Sequence, residues 1–393
     1  MTFLPARHPL TSVLGSLKIA RHLTALALLA WLSIRLAKNL RFLRHASRQL
    51  ERPLPWFPRV SVLIPARDEA LTIAACVTSL FDQEYPDLEV LVLDDASTDG
   101  TGEQLDALCG RYPHLTVIHS VDEPPHGWTG KSYACHRLAE QATGQWLLFT
   151  DADTLHTSGS IQRGLKLATR LDVALLSASP YQDTVTWAER LLVSFIVDFL
   201  PRVGVDLEAM WRGQGKQSIA NGQYLLAHAT HYRTAGGHAA IRDALLDDFA
   251  LARQFRAHGY AIALVDGTDL VSCRMYRTAR EVWYGFSKNL LGAPAASSRR
   301  QALLWRAPLF AWCYACLFIT PFFDAAFGAR KLRAFGEVSW LLLLRGVVAW
   351  RLRRPPGEIL TTPLAAWGVL LLGMGTLLRR VRRQRIVWKG RLY

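Results

Sequence analysis

Three acidic pairs in this sequence have residue types and spacing suited to chemistry. Asp151-Ala152-Asp153 follows the apolar run Trp146–Phe149, Asp94-Asp95 follows Glu89–Leu93, and Asp247-Asp248 lies in a stretch of helical pattern. Two carboxylates one residue apart at a strand end suit a divalent cation that holds phosphates. Hard cations take oxygen ligands, and Mg²⁺-type sites use one or two carboxylates plus substrate oxygens. Taken alone, the triplet is also compatible with an ordinary Asp-rich turn. Its recurrence argues otherwise, because buried strands have no use for carboxylates at their ends. Two basic residues accompany these pairs. Arg67 lies in Ala66-Arg67-Asp68-Glu69, and Lys131 follows Gly130, where it either meets an anion or stays solvated.

The elements that must position these groups alternate. Val60–Ile64 is a β-rich run closed by Pro65, and Glu69–Phe81 has helical spacing of apolar residues. Strand Glu89–Leu93, helix Asp99–Tyr112, strand Leu115–His119, helix Lys131–Ala142 and strand Trp146–Phe149 follow. Such alternation predicts an α/β fold, a parallel sheet with helices on both faces. The strand-end residues Pro65, Asp94 and Asp151 then share one rim, where such folds place ligands. Beyond it, helix Ser158–Thr169, strand Val173–Ala178, a strand within Ile219–Ala227, helix Ala239–His258 and strand Ile262–Val265 are expected.

Half of the 393 residues are hydrophobic and a fifth are charged, with a mean hydropathy of +0.11. That balance predicts a folded domain joined to membrane segments. The formal net charge of +14 is concentrated in Arg35–Arg59 and Arg379–Tyr393, both beside apolar runs. Cationic flanks of this kind face anionic lipid on the cytoplasmic side, which is a better account than nucleic-acid binding. Leu10–Ile34 is apolar but interrupted by Lys18, Arg21 and His22, so it is a retained tilted anchor or an interfacial helix. Leu303–Phe327 and Leu360–Leu378 are long enough to span, whereas Val338–Trp350 is short and broken by Arg345. One crossing before and three after the domain would put the basic tail on the far side, so either Leu10–Ile34 or Val338–Trp350 does not cross. Thr186–Val205 fits a membrane-surface helix and a core helix equally. The six cysteines show no ligand spacing beyond Cys313-x-x-Cys316 inside an apolar run. That is packing, not zinc or redox chemistry.

Three motifs in order, VSVLIPARDEA, VLVLDDASTDGT and WLLFTDADT, resemble the nucleotide-binding half of glycosyltransferase family 2, the inverting GT-A enzymes. GWTGKSYAC, DGTDLVSCRMYRTAREVWYGFSKNL and the terminal VWKGRLY are similar to the membrane-anchored branch acting on lipids such as carotenoids and hopanoids. The resemblance implies a GT-A (Rossmann-like), mostly parallel sheet with N- and C-terminal transmembrane helices. It implies Mn²⁺ or Mg²⁺ on Asp153 with Asp151. Donor contacts would come from Pro65, Arg67, Glu69, Asp94, Asp95, Lys131, Asp151, Arg277 and Arg280, with Asp94 otherwise a turn or cap residue. Asp248, with Asp247 next in line, would be the base, although the usual first member of that pair is Glu.

The expected organisation is an anchor and basic linker over 1–58 and a catalytic domain over 59–300, halved at 155. Membrane segments over 301–380 and a basic tail over 381–393 complete it. The tail either folds back toward the donor or is a disordered end. The expected activity is transfer of one sugar from a UDP- or GDP-linked donor to a lipid, by a multi-pass protein of the cell (inner) membrane with its domain in the cytoplasm. A processive polysaccharide synthase is the first rival. It would carry Q-x-x-R-W, where this chain has only Arg277-x-x-Arg280 and Trp283. A non-catalytic nucleotide-sugar sensor is the second, and the intact carboxylates oppose it.

Overall fold

In the computed structural model the described residues are 9–51, 53–54, 56–215, 217–292, 300–328, 331–382, 387–388 and 391–392. They form two compact units, one from 1–37, 190–204 and 294–374, the other from 38–189, 205–293 and 375–393.

The second unit is built on an eight-stranded sheet. Its strands are β1 (Val60–Ala66), β2 (Leu88–Asp95), β3 (Leu115–Ser120), β4 (Trp146–Phe149), β5 (Thr154–His156), β6 (Leu175–Gln182), β7 (Leu225–His228) and β8 (Ile262–Cys273). The spatial order is β3-β2-β1-β4-β7-β6-β8-β5. The first four strands are parallel, with Ala66 opposite Asp94 and Leu63 opposite Phe149. Because helices cover both faces, β1 and β4 are near-continuous apolar runs with almost no exposed side chain. The chain places β2 on one side of β1 and β4 on the other. The crevice beyond their carboxyl ends is therefore a topological switch point, and the loops after β1, β2 and β4 all open there.

The sheet is not parallel throughout. β7 runs antiparallel between β4 and β6, and β5 runs antiparallel to β8. β8 is longer than the expected Ile262–Val265. It pairs with β6 across a register break at Pro180/Tyr181 and then reaches β5, setting Thr154 opposite Cys273. The expected single helix Ala239–His258 is two pieces, a 3₁₀ turn Gly237–Ile241 and a helix Asp247–Ala257. The intervening loop is held by the Arg242 carbonyl, which accepts from the Thr129 amide at 2.8 Å. The break puts Asp247-Asp248 on the first helical turn, where the helix dipole favours carboxylates.

The first unit is helical. Helices long and apolar enough to cross a membrane are Gly15–Glu51 and Thr362–Arg380, and Pro308–Phe318 with Thr320–Phe327 forms a pair bent by 43°. The polar interruptions of the N-terminal helix are partnered. Arg21 lies 2.5 Å from Glu337 and 3.1 Å from Asp324, and His22 also meets Glu337. Arg345, which broke the apolar run, donates to the Ser194 carbonyl at 2.8 Å and to its hydroxyl at 2.6 Å. Ser194–Phe199 is a π-helical turn that buries Phe195, Asp198 and Phe199. Asp198 pairs with Arg354 at 2.6 Å. This part of Thr186–Val205 is core. Cys313 and Cys316 are free thiols, Cys316 buried.

Candidate active site

The loops after β1 and β2 are laced together by side chains. The Asp68 amide donates to Ser97 Oγ at 2.9 Å and the Glu69 amide to Thr101 Oγ1 at 2.8 Å. The Ala70 amide donates to Asp99 Oδ2 at 2.9 Å. Arg67 crosses the rim and donates to the Asp95 carbonyl at 2.7 Å. Asp94 holds this loop: Oδ1 accepts from the Ser97 amide at 3.1 Å and Oδ2 from His119 Nδ1 at 3.1 Å. Bonds to Asp106 and then Asp94 raise the His119 pKa. The Asp95 carboxylate is gripped by both terminal nitrogens of Arg391, with Nη2 3.0 Å from Oδ1.

Lys131 joins the other acidic motifs. Its Nζ lies 2.7 Å from Asp151 Oδ1 and 3.6 Å from Asp247 Oδ2. Burial opposes its charge, yet Asp151 and then Asp247 hold the ammonium well above the usual lysine range. Lys131 is placed by the first turn of Gly130–Gln141, whose N-cap Thr129 accepts from the Ser132 amide at 3.2 Å. Burial would raise Asp247, but Lys131 and then His238 bring it below the usual carboxylate value. Asp248 moves the other way. Burial, then the charge of Asp247, push it up to about 7. Its Oδ2 accepts from the Gly222 amide at 3.0 Å and its Oδ1 from its neighbour Phe249 at 2.8 Å. Two adjacent carboxylates with opposed shifts form an acid/base pair in which one is poised near neutrality.

Asp151 and Asp153 fit a hard divalent cation. The thiols beside them do not compete as thiolates. Burial, and among the charges that of Asp153 first, push Cys76 up to about 12 and Cys273 well above the usual thiol range. The remaining donors are carboxylate oxygens, the set that Mg²⁺ or Mn²⁺ takes alongside phosphate oxygens. Cys273 hydrogen-bonds Asp153 and accepts from Gln223 Nε2 at 2.7 Å. Gln223 is in turn fixed by Gln182 at 2.9 Å. Among the described residues, Cys135, His238 and Asp247 also have ligand atoms within 4.8 Å of one another. Burial keeps His238 neutral, with a pKa of about 4, and Lys131 already matches the Asp247 charge. This group acts as a wall behind the pair.

The glycosyl transferase family 2 profile matches residues 61–246. This stretch is similar to family 2 glycosyltransferase domains. The 4,4'-diaponeurosporenoate glycosyltransferase of Staphylococcus aureus strain MRSA252 is 27% identical over 234 residues, 59% of this chain and 60% of the relative. That of strain USA300 is likewise 27% identical over 234 residues. The chain thus spans 60% of the length of the curated relatives it matches. Among solved structures, a mannosyltransferase from Pyrobaculum calidifontis in complex with GDP-Man and Mn²⁺ is similar with a TM-score of 0.51 at 19% identity. The match covers 93% of this chain and 99% of that one. The shared fold is GT-A.

Within the second unit, the structure brings Lys131, Asp151, Asp247 and Asp248 together. Pro65, opposite Leu93, and Glu69 lie along the same rim as Asp94 and Asp95. Arg277 and Arg280 are exposed at the start of Ala279–Gly292. The Arg277 amide is bound by Glu281 at 2.8 Å, and the Arg280 guanidinium lies 5.6 Å from the centre of the Tyr284 ring. Sequence reasoning missed Gly222 and His238. Gly222 lies between Lys131 and Asp248, where a Cβ would meet Lys131 Nζ at 3.3 Å and Asp248 Cβ at 3.5 Å. Its one signal was Asn221-Gly222 just before a strand.

Proposed function

We propose that this chain is a membrane-bound, metal-dependent, inverting glycosyltransferase that moves one sugar from a nucleotide-sugar to a lipid acceptor. The observation that carries the reading is the Lys131 bridge. It ties the Asp151-Ala152-Asp153 motif to the helix bearing Asp248, a carboxylate with its pKa near 7. A metal on Asp153 and Asp151 would supply Lewis-acid stabilisation of the leaving diphosphate. The chain's own residues do the rest. Asp248 takes the proton of the acceptor hydroxyl. The acceptor oxygen bonds to the anomeric carbon from the face opposite the nucleotide, and the glycosidic C–O bond to phosphate breaks with its electron pair leaving on the diphosphate. Lys131 keeps Asp247 ionised, so the proton goes to Asp248.

The nucleotide-sugar donor is supported by the GDP-Man in the similar mannosyltransferase, and the lipid acceptor by the diaponeurosporenoate named in the Staphylococcus relatives. Two long apolar helices flank the domain in sequence. The cationic stretch Arg35–Arg59 supports a domain on the cytoplasmic side of the cell membrane, in a multi-pass arrangement. The test is mass spectrometry of lipid extracts from cells with and without the gene. A hexose-sized shift on one lipid that disappears with Asp248→Asn is expected. An unchanged lipid profile, with no turnover of UDP- or GDP-sugars by purified protein and Mn²⁺, would sink the reading.

A further inference from the structure

The Asp151-Ala152-Asp153 turn sits on a buried polar chain. Thr150 follows β4 and Thr154 opens β5, so one hydroxyl stands on each side of the turn. Both are buried, as are His156, Ser160, Gln83 and Gln223. The Thr154 hydroxyl donates to the Asp151 carbonyl at 2.8 Å. The Thr154 amide and the Cys76 thiol donate to the same oxygen from 3.3 and 3.7 Å. The Thr150 hydroxyl donates to the Gln223 carbonyl at 2.7 Å. Gln223 follows Gly222, whose amide holds Asp248. The two threonine oxygens lie 2.9 Å apart.

His156 supplies what this arrangement lacks. Its Nε2 is 3.1 Å from Thr150 Oγ1 and 3.4 Å from Thr154 Oγ1, and its Nδ1 is 3.2 Å from Ser160 Oγ. A hydroxyl has one proton to give. Both threonine protons go to carbonyl oxygens, which only accept, so none is left for the contact between the hydroxyls or for the imidazole. Nε2 must therefore carry a proton and share it between the two oxygens. Burial keeps the ring neutral, with a pKa of about 3, so Nδ1 is bare and accepts from the Ser160 hydroxyl. Ser160 can spend its proton there because Gln83 Oε1 is already met by the Ser160 amide at 2.8 Å. The far side of the ring is anchored as well. Gln83 Nε2 donates to the Ser79 and Thr157 carbonyls at 2.8 and 3.0 Å, and the His156 amide donates to Ser79 Oγ at 3.1 Å.

We infer that His156 is a positioning residue for the metal-binding turn. Its Nε2–H clamps the hydroxyls of Thr150 and Thr154, and through them fixes the backbone that aims Asp151 and Asp153 at a divalent cation. This rests on the metal reading above. An apolar side chain of similar volume would fill the space but bring no proton, leaving the two oxygens to face each other unbridged. Groups that orient metal ligands from behind change metal affinity by about 10–100-fold when removed.

The experiment titrates full-length protein with Mn²⁺, alone and with UDP or GDP, and reads free Mn²⁺ by electron paramagnetic resonance. The variants are His156→Gln, whose amide nitrogen reaches the place of Nε2, His156→Asn, whose amide reaches only that of Nδ1, and Thr150→Val. The readout is the dissociation constant, which, unlike the number of ions bound, does not depend on the folded fraction. His156→Asn is expected to weaken Mn²⁺ binding about tenfold or more, and His156→Gln to stay close to wild type. Thr150→Val removes the oxygen that takes the Nε2 proton and is expected to weaken Mn²⁺ likewise, with little further loss when combined with His156→Asn. Wild-type affinity in His156→Asn, or equal losses in the Asn and Gln variants, overturns the inference and leaves His156 a packing residue. Should His156→Asn not fold, Thr150→Val decides, and unchanged affinity there overturns the inference too. If the wild type binds no Mn²⁺ with or without either nucleotide, the metal reading itself falls and takes this inference with it.

Discussion

Asp248 is held by two backbone amides, Gly222 and Phe249, so Asn in its place keeps the shape and removes the proton acceptor. Transfer to a hydroxyl acceptor is expected to fall by about 10²–10⁴-fold, the usual contribution of a positioned base, with donor affinity preserved. Wild-type turnover in that variant would remove Asp248 from the mechanism. The carboxylate must be ionised to act, and burial with Asp247 raises it to about 7. Thus kcat/KM should rise with pH through about 7 and then level. The charged groups facing it are Asp247, which raises it, and Lys131, which lowers it. In Asp247→Asn the like charge is gone and the acid limb moves to lower pH; an unmoved limb would belong to another group. Asp153→Asn should raise the Mn²⁺ concentration needed for half-maximal activity, read by metal titration after chelation. Asp153 was legible because it follows an apolar run that explains nothing polar, whereas Asp247-Asp248, inside a helical pattern, was picked out through the family resemblance. The role of Lys131 was not. Its partners, Asp151 and Asp247, lie far along the chain, and only the sheet brings them within 4 Å.

The elements that hold the site depend on one close approach. At Gly144 a Cβ would lie 2.6 Å from the Ser61 backbone nitrogen and 2.9 Å from the Trp146 carbonyl oxygen. Neither can yield as a flexible side chain could. Gly144→Ala would wedge β1 against the entry to β4 at the amino ends of the two strands. It is expected to destabilise the protein by about 1–3 kcal/mol, as overpacking does. Gly336 lies in the helix Lys331–Arg351 with nothing within 4 Å of a Cβ, so Gly336→Ala should stabilise by about 0.5–1 kcal/mol. Denaturation in detergent reads both, and equal effects would refute the steric argument. The four parallel strands were readable because burial on both faces makes them continuous apolar runs. The far half was not. β8 runs on through Asp266, Thr268 and Asp269 across its register break with β6, so its apolar pattern ends before the strand does. The helix over Asp247–Ala257 starts where tertiary contact through Arg242 breaks an otherwise periodic stretch.

For the whole molecule, composition alone pointed to a domain with apolar helices, but the number of crossings was open because the sequence could not show where the tail ends. Arg391 supplies the missing constraint. Its contact with Asp95 holds the C terminus in the same unit as the sheet. On the proposed membrane arrangement, the chain must then cross an even number of times between Gly292 and Val387. The bent pair Pro308–Phe318 and Thr320–Phe327, taken as one span, and Thr362–Arg380 provide two crossings. Lys331–Arg351 would then not cross. It carries buried Glu337 and Arg345, both engaged by other segments of its unit, and charges at membrane depth are tolerated only when paired in this way. Alkaline carbonate should leave the protein in the membrane pellet. An epitope placed after Tyr393 should be removed by external protease from sealed inside-out vesicles, together with the catalytic domain. Both should be protected in right-side-out vesicles. A tag protected in vesicles whose catalytic domain is cleaved would require an odd number of crossings. Arg391 could not then reach Asp95, and the two-span arrangement would have to be abandoned.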